Sequence, residues 1–291
     1  MLVYALATGL IFGLYFALVG VGMNLVFGVM RIVNLAHGDF IMLGAFSAFW
    51  LLRGIGLPVP AVIAISFAVF FVLAIPVYYL LIPRLFRSRE PEMLSLILFF
   101  GLSQVIEAAV SMLFGNTERS IPSRLLGGGP VPLLGQTVPF AWVYAAVVSV
   151  LMLGCVYIYL YRTRLGRQTR AIMAQREEAL AIGIDIHRIS AIAFGVGAGL
   201  AAVAGVFAPF MLGSFTPSLG IPLDLTSFAV IIIGSLGNPL GTVLGGTIYG
   251  VSLMLMQTYL SSFADLLPNL VLIGVLLVRP TGLLGRQVRH A

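Results

Sequence analysis

Long apolar runs dominate this chain of 291 residues and restrict its fold more than any other feature. They fall at about 5–29, 40–52, 61–82, 93–114, 139–161, 190–212, 223–236, 241–260 and 264–278. A membrane-crossing helix needs roughly 20 apolar residues, and several of these runs have that length. Lipid cannot satisfy open backbone groups, so segments apolar on every side must be helices. A barrel would show short alternating segments, and the sequence has none. The expected fold is all-α: one polytopic transmembrane helical bundle over residues 1–291, with about eight spans.

Composition agrees. Charged residues make up 9% of the chain and hydrophobic residues 60%, against about 25% charged in a soluble domain. That excludes an ordinary soluble enzyme or a nucleic-acid binder. All sixteen basic residues are arginine. The absence of lysine excludes a phosphate-binding loop ending in Gly-Lys-Ser/Thr, a Schiff-base lysine and a Ser-Lys dyad. Cys155 is the single cysteine and lies in an apolar run, so no intrachain disulfide can form. Residues 1–30 lack the basic start and small-residue cleavage site of a signal peptide and read as mature structure.

Arginine also orients the bundle, because cytoplasmic loops collect positive charge. Residues 162–188 carry Arg162, Arg164, Arg167, Arg170, Arg176 and Arg188; residues 83–92 carry Arg84, Arg87 and Arg89; the tail carries Arg279, Arg286 and Arg289. All three are expected in the cytoplasm, which places 115–138 outside with Arg119, Arg124 and the turn Gly127-Gly128-Gly129-Pro130.

Two regions break the pattern. The run 40–52 is short for a span and ends at Arg53. The stretch 223–260 is interrupted by Gly234, Gly237, Asn238, Pro239 and Gly241. Such segments read equally as discontinuous or re-entrant helices lining a transport path or as plain helices joined by tight turns. Small residues crowd 195–205, with Gly241, Gly245 and Gly246 similar; they are read as close helix packing. No internal repeat is evident.

Two stretches could carry function. Arg31 precedes Asn34-Leu35-Ala36-His37-Gly38-Asp39-Phe40, polar groups between apolar runs. Polar groups at membrane depth are functional suspects, so Asn34, His37, Gly38, Asp39 and Asn238 are the candidates for a solute path or gate. A cap and turn is the alternative: Asn34 or Asp39 caps a helix while Gly38 relieves the backbone. His187 and His290 are too far along the chain to complete a metal site with His37 and Asp39, and none is expected. Glu107 and Asp265 are read as the other acidic residues near membrane depth; Glu107 is expected to be paired or to snorkel. The second stretch, 167–185, is polar, favours helix and ends at Gly183. It could be a solvated face or a docking element.

A resemblance bears on both. Asn-Leu-Ala-His-Gly-Asp-Phe at 34–40 with Met42-Leu43-Gly44-Ala45 resembles the signature of branched-chain amino acid ABC permeases of the LivH type, although Asp39 stands where members often carry Glu. Glu177-Glu178-Ala179-Leu180-Ala181-Ile182-Gly183-Ile184-Asp185 resembles that family's ATPase-gripping loop. Ile233-Gly234-Ser235-Leu236-Gly237-Asn238-Pro239-Leu240-Gly241 and Arg279-Pro280-Thr281-Gly282-Leu283-Leu284-Gly285 match its later landmarks. The resemblance implies the membrane half of an ABC importer in a bacterial inner membrane, multi-pass with its C-terminus cytoplasmic. It implies ATPase subunits that bind ATP and Mg, a second homologous permease chain and an extracytoplasmic solute-binding protein. Membrane lipid surrounds the chain, and nucleic acid is not a partner. The chain would perform no hydrolysis and hold no cofactor. Arg170, Glu177, Glu178, Ala179 and Gly183 would contact the ATPase within a coupling loop at 162–188. A urea or short-amide importer is the nearest alternative, and an ion-coupled secondary transporter a more distant one.

Overall fold

The computed structural model describes residues 1–133, 136–264 and 266–285. Asp265, Arg286, Arg289 and His290 lie outside the described residues. Eleven helices account for nearly all of the regular structure: α1 Leu2–Met30, α2 His37–Ala48, α3 Val59–Leu85, α4 Pro91–Phe114, α5 Phe140–Arg162, α6 Arg164–Ala174, α7 Arg176–Ala181, α8 Ile186–Leu212, α9 Gly220–Gly234, α10 Pro239–Tyr259 and α11 Leu266–Val278. A two-stranded antiparallel hairpin, Val131–Leu133 with Gln136–Val138, decorates one end.

Among the described residues, seven helical stretches are long and apolar enough to cross a membrane: α1, α3, α4, α5, α8, residues 217–234 and α10. The chain is therefore a multi-pass membrane protein. Two shorter traverses complete the bundle. One is α11, only thirteen residues long. The other contains the short apolar run 40–52. Residues 31–36 are extended or turned, α2 follows, and a π-helical stretch Phe49–Gly54 prolongs it. Its course is fixed by contacts along α4: the Val33 N–H reaches Ser95 near one end of α4, and the Phe46 ring meets Phe114 at the other. This traverse is a discontinuous helix. Irregular backbone at this depth is tolerated only inside protein, and Ile32, Asn34 and Ala36 are all buried.

The stretch 223–260 resolves the other way. It is two ordinary helices, α9 and α10, joined by the turn 235–238.

α8 is the central post, buried over nearly its whole length. Its small residues serve packing: a side chain at Gly205 would overlap the Ile41 carbonyl oxygen on α2, and one at Gly197 would meet Val26 and the Gly22 carbonyl on α1. α1 and α10 approach through Gly13, Gly246 and Gly250 in the same way. Without a hydrophobic force between helices in lipid, such close van der Waals contact is what holds them. The outward faces of α3, α4, α5 and α11 carry exposed Val, Leu, Ile and Phe, as a lipid-facing surface does. Cys155 is exposed among them.

The arginine-rich segments gather at one end. The Arg176 guanidinium lies over the Phe86 ring at 4.2 Å, joining α7 to the connection after α3. Arg31 Nη2 donates to the Met173 carbonyl on α6 at 3.3 Å. The N–H groups of Leu283 and Leu284 donate to Ile233 and Gly234 at 3.1 Å each, capping the last turn of α9. Hence 279–285 and 233–241, the two late landmarks, pack on one another. The N-terminus lies at the opposite end, where Gln136 Nε2 meets the Met1 sulfur.

Candidate functional site

The candidate gate forms where α2 begins. α1 ends at Arg31, whose left-handed φ of 55° turns the chain back into the bundle. The Asn34 side chain accepts from the Ala36 N–H at 3.1 Å, and the His37 N–H bonds the Asn34 carbonyl. Asn34 thus shapes the turn from which α2 starts. Asp39 does not cap α2; Ala36 holds that position with no side-chain bond.

His37 is buried, and its Nε2 donates to the Val19 carbonyl of α1 at 3.0 Å. Val19 lies eleven residues before Met30, about 16 Å along the helix at 1.5 Å per residue. That is roughly half of a 30 Å hydrocarbon core. The His37 ring therefore reaches mid-depth, with α2 leading away from the arginine-rich end.

At this depth the N-termini of α2 and α9 meet. The Gly38 N–H donates to Asp224 Oδ1 at 2.7 Å. A side chain on Gly38 would overlap the Gly220 carbonyl oxygen, and one on Gly220 would overlap the Asp39 carboxylate. Each helix start carries partial positive charge, and each receives the other helix's carboxylate. Asp39 is 1% exposed, and the Ser103 hydroxyl of α4 is the side chain placed to bond its carboxylate. Glu107 of α4 and Asp224 of α9 lie close enough to add like charge around it.

Sequence reasoning passed over Asp224. It sits in Gly220-Ile221-Pro222-Leu223-Asp224-Leu225, an acidic residue in an apolar helix with no arginine nearby in sequence, which is the signal that should have flagged it. Glu107 is half-buried and lies near enough to Asp39 to act on its charge. Asn238 belongs elsewhere. Its side chain caps α10 by accepting from Leu240 and Gly241 N–H, and its carbonyl receives Asn24 Nδ2 at 3.0 Å. No group of three or more His, Cys, Asp or Glu side chains among the described residues could hold a metal ion. A groove of about 660 Å³ between α3 and α5 has an apolar lining that includes no residue of α2, α4 or α9.

The candidate coupling element is α6 and α7 at the arginine-rich end. Thr163 caps α6 by accepting from the Gly166 N–H at 2.9 Å. Tyr159 and Thr169 share a hydroxyl bond at 2.8 Å, folding α6 back on α5. Arg170 is tied down as well, its Nε on the Leu160 carbonyl at 3.0 Å and its guanidinium over Tyr161. Ala179 is buried against the bundle, whereas Glu177, Glu178 and Gly183 are exposed. Burial pulls the Arg176 guanidinium below its ordinary pKa, and Tyr78 opposes that shift.

The end of α7 is a Schellman turn. Gly183 N–H bonds Leu180 and Ile184 N–H bonds Ala179, with Gly183 at φ +83°. Asp185 then caps α8, accepting from Arg188 N–H at 3.0 Å. α7 is thus joined to a central helix by only four residues. Leu180 and Ile182 are 62% and 76% exposed beside this turn, an apolar pair on an otherwise polar surface.

Comparison with known proteins places the chain in a family. The sequence model described as "Branched-chain amino acid transport system / permease component" matches residues 5–278. The chain is 30% identical to the high-affinity branched-chain amino acid transport system permease protein BraD of Pseudomonas aeruginosa, over 97% of this chain and 95% of that protein. It is 28% identical to the LivH permease of Escherichia coli, over 96% and 94%. It is 26% identical to the probable LivH permease of Methanocaldococcus jannaschii, over 92% and 88%. No solved structure matches it significantly. The chain belongs to the branched-chain amino acid transport permease family.

Proposed function

We propose that this chain is one permease half of an ATP-driven importer of branched-chain amino acids, seated in a bacterial inner membrane with its arginine-rich end and C-terminus in the cytoplasm. The observation that carries this reading is family membership over nearly the whole chain, from residue 5 to 278. Its named relatives are amino-acid permeases, which favours that solute class over urea. The chain performs no hydrolysis. ATP and Mg are held by partner ATPase subunits, a second permease completes the path, and an extracytoplasmic binding protein delivers the solute.

In this reading α6 and α7 form the ATPase dock. Glu177, Glu178 and the exposed apolar pair Leu180 and Ile182 meet the partner. Arg170 and Ala179 fix the element to the bundle. Movement of the dock reaches the gate by two routes: through the Schellman turn into α8, and through Met173 to Arg31, where the discontinuous segment begins. A short rigid helix can carry a rigid-body shift into the membrane, as switching elements do.

The test is reconstitution of the permease pair, ATPase and binding protein in proteoliposomes. ATP-dependent leucine uptake that survives collapse of the membrane potential is the expected result. Uptake driven by an ion gradient without ATP would overturn it.

A further inference from the structure

The groove between α3 and α5 opens on the outside of the bundle, where Leu151 and Cys155 on its wall are exposed. Its volume is about 660 Å³, and Val196 and Leu200 of α8 line it as well. The α5 wall runs from Tyr144 to Tyr159. That is about 22 Å along a helix at 1.5 Å per residue. One leaflet of the hydrocarbon core is about 15 Å deep, so the groove is long enough for a whole acyl chain. No residue of α2, α4 or α9 lines it. It therefore lies apart from the candidate gate.

The inner end of the groove supplies the second observation. α5 and α8 run antiparallel, and two contacts set their register: Trp142 Nε1 donates to the Phe210 carbonyl at 3.1 Å, and the Tyr144 ring meets Phe207. Counting inward from these at equal rise brings Val156 level with Val196, both in the lining. The same count brings Arg162 level with Arg188 to within about 3 Å. Arg162 follows Tyr144 by about five full turns at 3.6 residues each, so it stands on the groove side of α5. On α8, residues 189–211 are buried except Ile192 and Val196, which are half-buried. That track leads from the groove to Arg188. Both arginines are exposed, and among the described residues no hydrogen bond or ion pair holds either guanidinium.

We propose that the groove binds an anionic phospholipid of the cytoplasmic leaflet, with one acyl chain along α5 and α8 and the phosphate between Arg162 and Arg188. This goes beyond the importer reading and uses only its placement of the arginine-rich end. Guanidinium groups match phosphate oxygens in pairs, and the cytoplasmic leaflet carries the anionic lipids. The α5 wall is mainly Leu, Met, Val and Tyr, not the small residues through which helices of this bundle approach one another. Such a slot suits an acyl chain rather than a helix of a second protein.

The test places the purified permease complex in phosphatidylcholine nanodiscs. Each set carries a trace of phosphatidylglycerol or of phosphatidylcholine with a diazirine in its acyl chain, and adducts are mapped by peptide mass spectrometry after irradiation. Residues 148–159 should take the phosphatidylglycerol probe in preference, while residues 93–105 of α4 take both alike. The preference should fall about fivefold in Arg162→Gln and by a similar factor in Arg188→Gln, the scale of one basic residue at a membrane surface. Cys155→Trp, which fills the groove, should abolish labelling of 148–159. Unlabelled phosphatidylglycerol should compete, and glycerol phosphate, which lacks the chains, should not. Equal labelling of 148–159 by both lipids, a preference indifferent to both arginines, labelling that survives Cys155→Trp, or competition by glycerol phosphate overturns the site. So does labelling of α4 with none at 148–159, which would show protein over the groove. None of these readouts needs uptake, and orientation is read separately by maleimide labelling, so failure of the importer reading is distinguishable from failure of the lipid site.

Discussion

The Gly38 N–H and the Asp224 carboxylate, 186 residues apart in sequence, meet at 2.7 Å in the middle of the bundle. The bond works because Gly38 has no side chain: a Cβ there would collide with the Gly220 carbonyl and lie 2.8 Å from the Asp224 nitrogen. Two helix starts can then approach until each carboxylate sits at the other's N-terminus. The Asp224 carboxylate is thereby held by a backbone N–H and the positive start of α2, without arginine.

Gly38→Ala should therefore force α2 and α9 apart. Overpacking a tight core costs about 1–3 kcal/mol, and here the obstacle is rigid backbone. We expect a lower melting temperature in detergent and loss of uptake. Unchanged melting would show that the contact yields easily and that Gly38 is replaceable.

Asn24 makes a separate and purely structural prediction. It is fully buried on α1 and donates to the carbonyls of Ser235 and Asn238 and to Thr242, while accepting from the Gly237 N–H. It organises the whole turn between α9 and α10. Asn24→Leu keeps the volume and strands those partners, at about 1–3 kcal/mol for each buried group left unmade. Thermal unfolding should show the largest loss of any single polar substitution in α1. A stability equal to the parent would mean the turn satisfies itself.

Much of this was legible beforehand, for physical reasons. All-round hydrophobicity can only mean helix in lipid, so the bundle and its arginine-rich end followed from composition. Asn34 to Asp39 stood out because charge at membrane depth is costly. The Asp224 contact was hidden because a long-range pair leaves no spacing signal, and one carboxylate in an apolar helix is easily read past. The broken 223–260 stretch was ambiguous for another reason: Gly and Pro mark both a tight turn and a discontinuous helix. What decided it was Asn24, whose side chain fills the turn from another helix.

Orientation has a direct check. Gln168 and Gln175 are exposed on and just after α6, in the segment with six arginines. Single cysteines there, in a Cys155→Ser background, should resist an impermeant maleimide in right-side-out vesicles and react in inside-out ones. A cysteine at Thr117, in the connection 115–138, should behave oppositely. Labelling of Gln168→Cys from outside would invert the proposed topology.

Gly183 separates backbone strain from steric blockage at the coupling turn. Its φ of +83° lies in the left-handed region, and nothing stands within 4 Å of where a Cβ would be. The site thus has room for any side chain, and only the backbone objects. A β-branched residue pays about 1–2 kcal/mol for that conformation, whereas asparagine adopts it readily. Gly183→Val should loosen the turn between α7 and α8, which weakens ATPase co-purification or lets hydrolysis run without uptake. Gly183→Asn should stay near the parent in both assays. Binding of solute to the external partner should be the same in all three proteins. If Val and Asn behave alike and match the parent, α7 does not transmit force through this turn, and the dock must act through Met173 and Arg31 alone.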